Sequence, residues 1–224
     1  MSTTYSFSPE VTAIFDLIKS EGYRGKDFAI PVYQDTSWVA TLKPITRTFF
    51  QDRRSNETIR LLTEWRRSNE RWYPSVFTVT EERTRAWLQK YVLDNHQRIL
   101  FVLEKPDGEM FGHMGLSEGE IDNVLRGKKQ VVKGGMTAGL QSLMKWSYEE
   151  LKIKNLYLRV FSDNPDAIHY YKNSGFLEID RIPLKKIEEN NETKWVESEE
   201  TDIPSAERIF CVMRIDLEET FAEL

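Results

Sequence analysis

The chain reads as a mixed α/β (α+β) protein with a central, largely antiparallel sheet of about six to seven strands flanked by helices. Three observations predict it. Two helical stretches follow a single early strand, three apolar runs then succeed one another with turn signals between them, and the second half alternates helix, strand, helix and strand. With 224 residues, 40% hydrophobic and 30% charged, the chain suits one large domain carrying an appendage.

Over residues 5–19 the apolar positions Val11, Ile14, Phe15 and Ile18 follow helical spacing, with Ser8 as N-cap and Pro9 at the first helical position. The Gly- and charge-rich stretch 22–36 reads as a connector, so residues 1–36 are an expected N-terminal extension and 37–224 the main domain. Trp38–Ile45 is the first expected strand. Asn56–Arg71 is a helix by the spacing of Ile59, Leu62 and Trp65, and Thr80 caps the next one ahead of Trp87, Leu88, Tyr91 and Val92. Arg98–Glu104 and Met110–Leu116 flank Pro106-Asp107-Gly108, a tight-turn sequence, and form a hairpin that Glu120–Leu125 extends to a meander. A helix over 136–151, a strand over Leu156–Phe161, a helix over 165–174 capped by Asn164 and closed by Gly175, a strand over 176–184 and a final strand in RIFCVMRIDL complete the order. The charged stretch 188–200 reads as a solvated hairpin.

Composition narrows the partners. A net charge of −5 offers no basic stripe for a phosphate backbone, so nucleic acid is not an expected partner. Cys211 is the only cysteine, which precludes an intrachain disulfide, and no Cys/His spacing of a metal site is present. No apolar window is long enough for a membrane span and the N-terminus lacks a signal-peptide pattern, so a cytoplasmic protein is expected.

Gly134 and Gly135 stand between the third meander strand and an amphipathic helix. A loop of this kind presents amide N–H groups at a helix N-terminus, where the helix dipole favours an anion such as a pyrophosphate. Lys128, Lys129 and Lys133 add positive charge. Downstream, NLYLRVFSDNPDAIHYYKNSGF resembles the acyl-CoA site of the GNAT superfamily of N-acyltransferases in Asn164, Ala167, Tyr171, Lys172, Gly175 and Phe176. The element order from residue 37 to 217 resembles that fold too. Trp65, Arg66 and Asn69, with the strand RILF, resemble the subgroup of ribosomal-protein and aminosugar N-acetyltransferases.

The resemblance implies acetyl-CoA as co-substrate, with Val132, Gly134, Gly135, Met136, Thr137, Ala138, Asn164 and Tyr171 as its contacts and no metal. One departure stands out: Val131 occupies the position where the family's phosphate loop carries Gln or Arg, with Gln130 one residue away. Direct attack of an amine on a thioester needs a proton acceptor for the ammonium and a donor for the leaving thiolate. Tyr171 matches the family's donor position, its ordinary pKa of ~10 lying above a thiol's ~8.5. For the acceptor of the proton, Glu120 and Asp122 share one side of their strand. His113 is expected as a core histidine.

The implied reaction is transfer of acetyl to a primary amine of a small molecule or peptide, with a homodimer compatible with it. A nucleotide-linked aminosugar is the favoured acceptor, with Arg66, Arg67 and Arg71 offered as its local basic pocket. A protein N-terminus, and a silent module that binds CoA without turnover, are the alternatives.

Overall fold

A computed structural model describes residues 5–20, 28–129, 131–190, 192–199, 203 and 206–222. Its helices are α1 (Pro9–Lys19), α2 (Ser55–Ser68), α3 (Glu81–Trp87), α4 (Gly135–Glu149), α5 (Pro165–Asn173) and α6 (Leu217–Phe221). Its strands are β1 (Ile30–Gln34), β2 (Ser37–Pro44), β3 (Ser75–Val76), β4 (Arg98–Glu104), β5 (Met110–Ser117), β6 (Glu120–Arg126), β7 (Asn155–Phe161), β8 (Leu177–Glu189), β9 (Glu192–Glu197) and β10 (Arg208–Asp216). They form one sheet in the order β1-β2-β4-β5-β6-β7-β10-β8-β9-β3. Every pairing is antiparallel except β6 with β7. No helix among the described residues is long and apolar enough to cross a membrane.

The mixed α/β class holds, with ten strands rather than six or seven. β1 and β3 are unexpected, and β9 is the second arm of the hairpin read over 188–200, paired with the end of β8. β1 is a five-residue run inside the stretch read as a connector, β3 is two residues long, and β9 (ETKWVE) is half-buried at every position. None offers the long period-2 alternation by which a strand is recognised.

Strand alternation divides the core. Ile99, Phe101 and Leu103 of β4 face a cluster with α1 and α4, whereas Leu100 and Val102 face a second cluster with α2 and the π-helical segment Leu88–Leu93 that continues α3. Phe7, Val11, Phe15 and Ile18 belong to the first cluster, and β1 pairs with β2, so the division drawn at residue 37 passes between hydrogen-bonded strands. Ser8 caps α1 through Val11 N–H, as its sequence predicts.

The sheet opens at one place. β6 and β7 run parallel and pair only at Glu120↔Tyr157, after which they diverge. A bulge drives the divergence: Asp122 pairs with Gly115 and Leu125 with His113, so β6 spends an extra residue against β5, and Asn123 takes φ 52. Such an insertion bends the strand and increases its twist. Tyr5 stacks on Tyr157 at 3.7 Å, which covers the closed end of the opening.

Candidate active site

A cleft of about 510 Å³ fills the opening between β6 and β7, a volume suited to a small-molecule site. Asp122 and Glu120 line it from β6, Arg159 and Phe161 from β7, and Asn164, Ala167 and Tyr171 from α5. Its far wall comes from Trp72, Tyr73 and Pro74 after α2 and from Trp195, Val196 and Glu197 on β9. α5 stands against it because both helix ends are well specified. Asn164 Oδ1 accepts from Ala167 N–H at 3.2 Å, Pro165 occupies the first turn, and Gly175 leaves the helix at φ 97.

The charges in the cleft are unbalanced. Four carboxylates, Glu118, Glu120, Asp122 and Glu197, meet two guanidinium groups, Arg98 and Arg159. Arg159 reaches across the opening to Glu120 at 3.0 Å and to Glu197 at 3.2 Å, tying β6 and β9 to β7. Arg98 lies 3.2 Å from Asp122, and Asn123 Nδ2 donates to the same carboxylate at 2.6 Å. Burial raises the Glu120 carboxyl above its ordinary value, against the opposing pull of Arg159.

Tyr171 packs edge-on against Tyr170 and Phe176 and presents its remaining surface to the cleft. Burial pushes its hydroxyl well above the ordinary phenol value, reinforced by Asp122 and Tyr73. Tyr73 is pushed up to about 12, chiefly by burial, while the Arg66 guanidinium lying 3.7 Å over its ring pulls the other way. His113 is 3% exposed, its Nδ1 lacks a partner, and burial lowers it to about 4. It does not line the cleft but stacks against Trp65, as a core histidine does.

The loop before α4 forms a backbone cradle. Gly134 is the N-cap at φ 73, a conformation that favours glycine, and an added Cβ would meet Gln34 Nε2 at 2.5 Å. Gln34 Nε2 donates to Lys133 O at 2.8 Å, fastening the loop to the end of β1. Gly135 N–H donates to Val132 O and Ala138 N–H to Gly134 O, so neither the Gly135 nor the Ala138 amide, both expected as cofactor contacts, is open to a ligand. Met136 and Thr137 carry the first-turn amides that a helix leaves without partners, and Met136 O accepts from Tyr170 Oη at 2.9 Å, joining α4 to α5. Lys128 is held by Glu109 at 2.9 Å, and Gln130 lies outside the described residues.

An acetyltransferase (GNAT) domain profile matches residues 48–177, more than half the chain. The chain belongs to the GNAT acetyltransferase family. It is accordingly an acyl-CoA-dependent N-acetyltransferase. No curated protein sequence is a significant match. Among solved structures, spermidine/spermine N-acetyltransferase SpeG from Vibrio cholerae, in complex with manganese ions, superposes with a TM-score of 0.55 at 18% identity. That superposition covers 83% of this chain and 96% of SpeG. A dodecameric structure of spermidine N-acetyltransferase from the same organism gives a TM-score of 0.56 at 15% identity, covering 82% and 97%. At these identities the likeness is one of fold.

For a GNAT enzyme the cradle fits a pyrophosphate, since backbone groups and a positive φ supply it without the missing Gln or Arg side chain. Sequence reasoning reached Tyr171, Asn164, Glu120 and Asp122, and the fold brings all four to one cleft. It missed Tyr73, Arg98, Arg159 and Glu197. These come from segments distant in sequence, and only the ion pairs and the wall after α2 reveal them. Two of the three arginines offered as a basic pocket are occupied: Arg66 donates to Ser75 O and Arg67 to Val79 O, each at 2.8 Å.

Proposed function

We propose that the protein transfers an acetyl group from acetyl-CoA to the primary amine of a small cationic acceptor bound in the cleft between β6 and β7. The observation that carries this reading is the excess of carboxylates, four against two guanidinium groups, on a wall that also holds Tyr171. Such a lining attracts ammonium groups and repels a diphosphate. A nucleotide-linked aminosugar would need free cations there, and Arg66 and Arg67 already serve backbone carbonyls.

Acetyl-CoA supplies an acetyl group activated as a thioester. The amides of Met136 and Thr137 and the turn at Gly134 would hold its pyrophosphate, with Asn164 beside the pantetheine arm. Asp122, whose charge is felt at Tyr171, takes one ammonium proton, directly or through a water, and leaves the amine lone pair free to attack. Attack forms the C–N bond, collapse breaks the C–S bond, and the second nitrogen proton passes through water to the departing sulfur, so that CoA leaves as the thiol. Glu120 and Glu197, bridged by Arg159, hold the rest of the acceptor. Tyr171 keeps its proton at neutral pH. A phenol is a weaker acid than a thiol even at its ordinary value and burial weakens it further, so Tyr171 contributes a donated hydrogen bond to the sulfur as the C–S bond breaks.

Thiol release from acetyl-CoA, followed with a panel containing 1,4-diaminobutane, glucosamine, a nucleotide-linked aminosugar and an N-terminal peptide, tests the reading. The diamine should be the best acceptor. Preference for the nucleotide-linked sugar would overturn the cationic acceptor, and CoA binding without thiol release from any amine would overturn turnover altogether.

A further inference from the structure

The acceptor wall is assembled from three stretches that are far apart in the chain: the segment 72–74 after α2, the segment 195–197 on β9, and the end of β7 running into α5. One side chain touches all three. Arg208, the first residue of β10, donates Nε to Asp163 Oδ1 and Nη2 to Asp163 Oδ2, both at 3.1 Å. Nη2 also donates to Arg71 O at 3.0 Å. The guanidinium carbon lies 3.4 Å over the Phe161 ring, 5.3 Å from the Trp195 ring and 5.9 Å from the Trp72 ring. Its side chain is only 12% exposed, although it lies outside the cleft lining.

We propose that Arg208 is a positioning residue for the amine acceptor: it sets the separation of the Trp72 and Trp195 walls and anchors both to the start of α5. The proposal rests on the reading of this cleft as the acceptor site. The physical reason is the shape of guanidinium. A planar fork meets both oxygens of Asp163 and still offers a donor to Arg71 O, while its face stacks on aromatic rings. A lysine carries the same charge but supplies neither the fork nor the face. Asp163 directly precedes Asn164, the cap of α5, so the anchor lies at the base of the helix that bears Tyr171. Among the described residues, no hydrogen bond, ion pair or ring contact joins Arg208 to the loop at Gly134, the proposed seat of the other substrate.

Arg208→Lys should therefore raise the KM for 1,4-diaminobutane by about tenfold while changing kcat less than about threefold and the acetyl-CoA dissociation constant less than about twofold. Asp163→Asn should act in the same direction, and the double variant should be no worse than Arg208→Lys, because both remove one interaction. Calorimetric titration of the diamine into CoA-bound protein reads the same loss without turnover. If wild-type protein binds the diamine but acetylates nothing, the catalytic reading fails and the affinity ratio still decides the role of Arg208. An unchanged diamine KM and affinity in both variants would overturn the proposal. So would equal losses in acetyl-CoA affinity and kcat accompanying a lowered melting temperature.

Discussion

Replacing His113 by Phe should make the protein's stability less sensitive to acid. In the fold the imidazole is neutral down to about 4, because burial lowers it and the Arg66 charge adds to that effect against Asp122 and a backbone hydrogen bond at Asn123. Unfolding returns it to an ordinary value near ~6.5. A base lowered in the native state binds its proton in the unfolded chain first, so stability is fully present above pH ~6.5 and is lost as pH falls towards the buried value. At about 1.4 kcal/mol for each pH unit between those two values, the loss amounts to about 3 kcal/mol. Urea unfolding of wild type and His113→Phe at intervals between pH 7 and pH 4 isolates this contribution, since every other titrating group is common to both proteins. The Phe ring preserves the stack on Trp65. The stability gap should shift in favour of the variant by about 3 kcal/mol across that window. A gap that stays constant with pH would refute a neutral, buried imidazole.

Tyr171→Phe removes only the hydroxyl; kcat should fall by about 10²-fold with the acetyl-CoA dissociation constant unchanged, whereas equal kcat would reduce Tyr171 to packing. Gly134→Val forces a β-branched residue to φ 73 and against Gln34. It should weaken acetyl-CoA binding by about tenfold in a titration, and unaltered affinity would remove the loop from the cofactor site. Phe15 is fully buried and packs edge-on against Phe7 at 5.3 Å, so Phe15→Ala should cost about 3–5 kcal/mol in urea unfolding. A cost below about 1 kcal/mol would show that α1 is not part of the main core.

Elements with local signals were legible from the residues alone. Ser8 and Pro9, Thr80, Asn164 and Gly175 each perform the capping that their types and positions predict. The β4–β5 hairpin follows from its turn tripeptide. α2 was harder: helical spacing extends towards Arg71, yet the helix ends at Ser68 and a turn at Glu70–Trp72 swings Trp72 and Tyr73 to the cleft. β9 was legible only as an arm of a solvated hairpin, and its half-burial was not, because its register comes from main-chain pairing with β8 and not from an apolar face. The opening of the sheet depends on one extra residue near Asn123, and nothing in EIDNVLR distinguishes a bulged strand from a regular one. Alternation put Glu120 and Asp122 on one side, and the regular pairing of that stretch keeps them there, so only their different partners separate them. The structure places Glu120 at the single β6–β7 rung beneath Arg159 and Asp122 in electrostatic reach of Tyr171.

The direct test of the cleft as the place where acetyl meets amine is kcat/KM for 1,4-diaminobutane in wild type and Asp122→Asn, measured beside the acetyl-CoA dissociation constant of each. Asparagine keeps the shape and loses the charge and basicity, so kcat/KM should fall by about 10²-fold or more while acetyl-CoA binding holds. Equal kcat/KM in the two proteins would contradict the account.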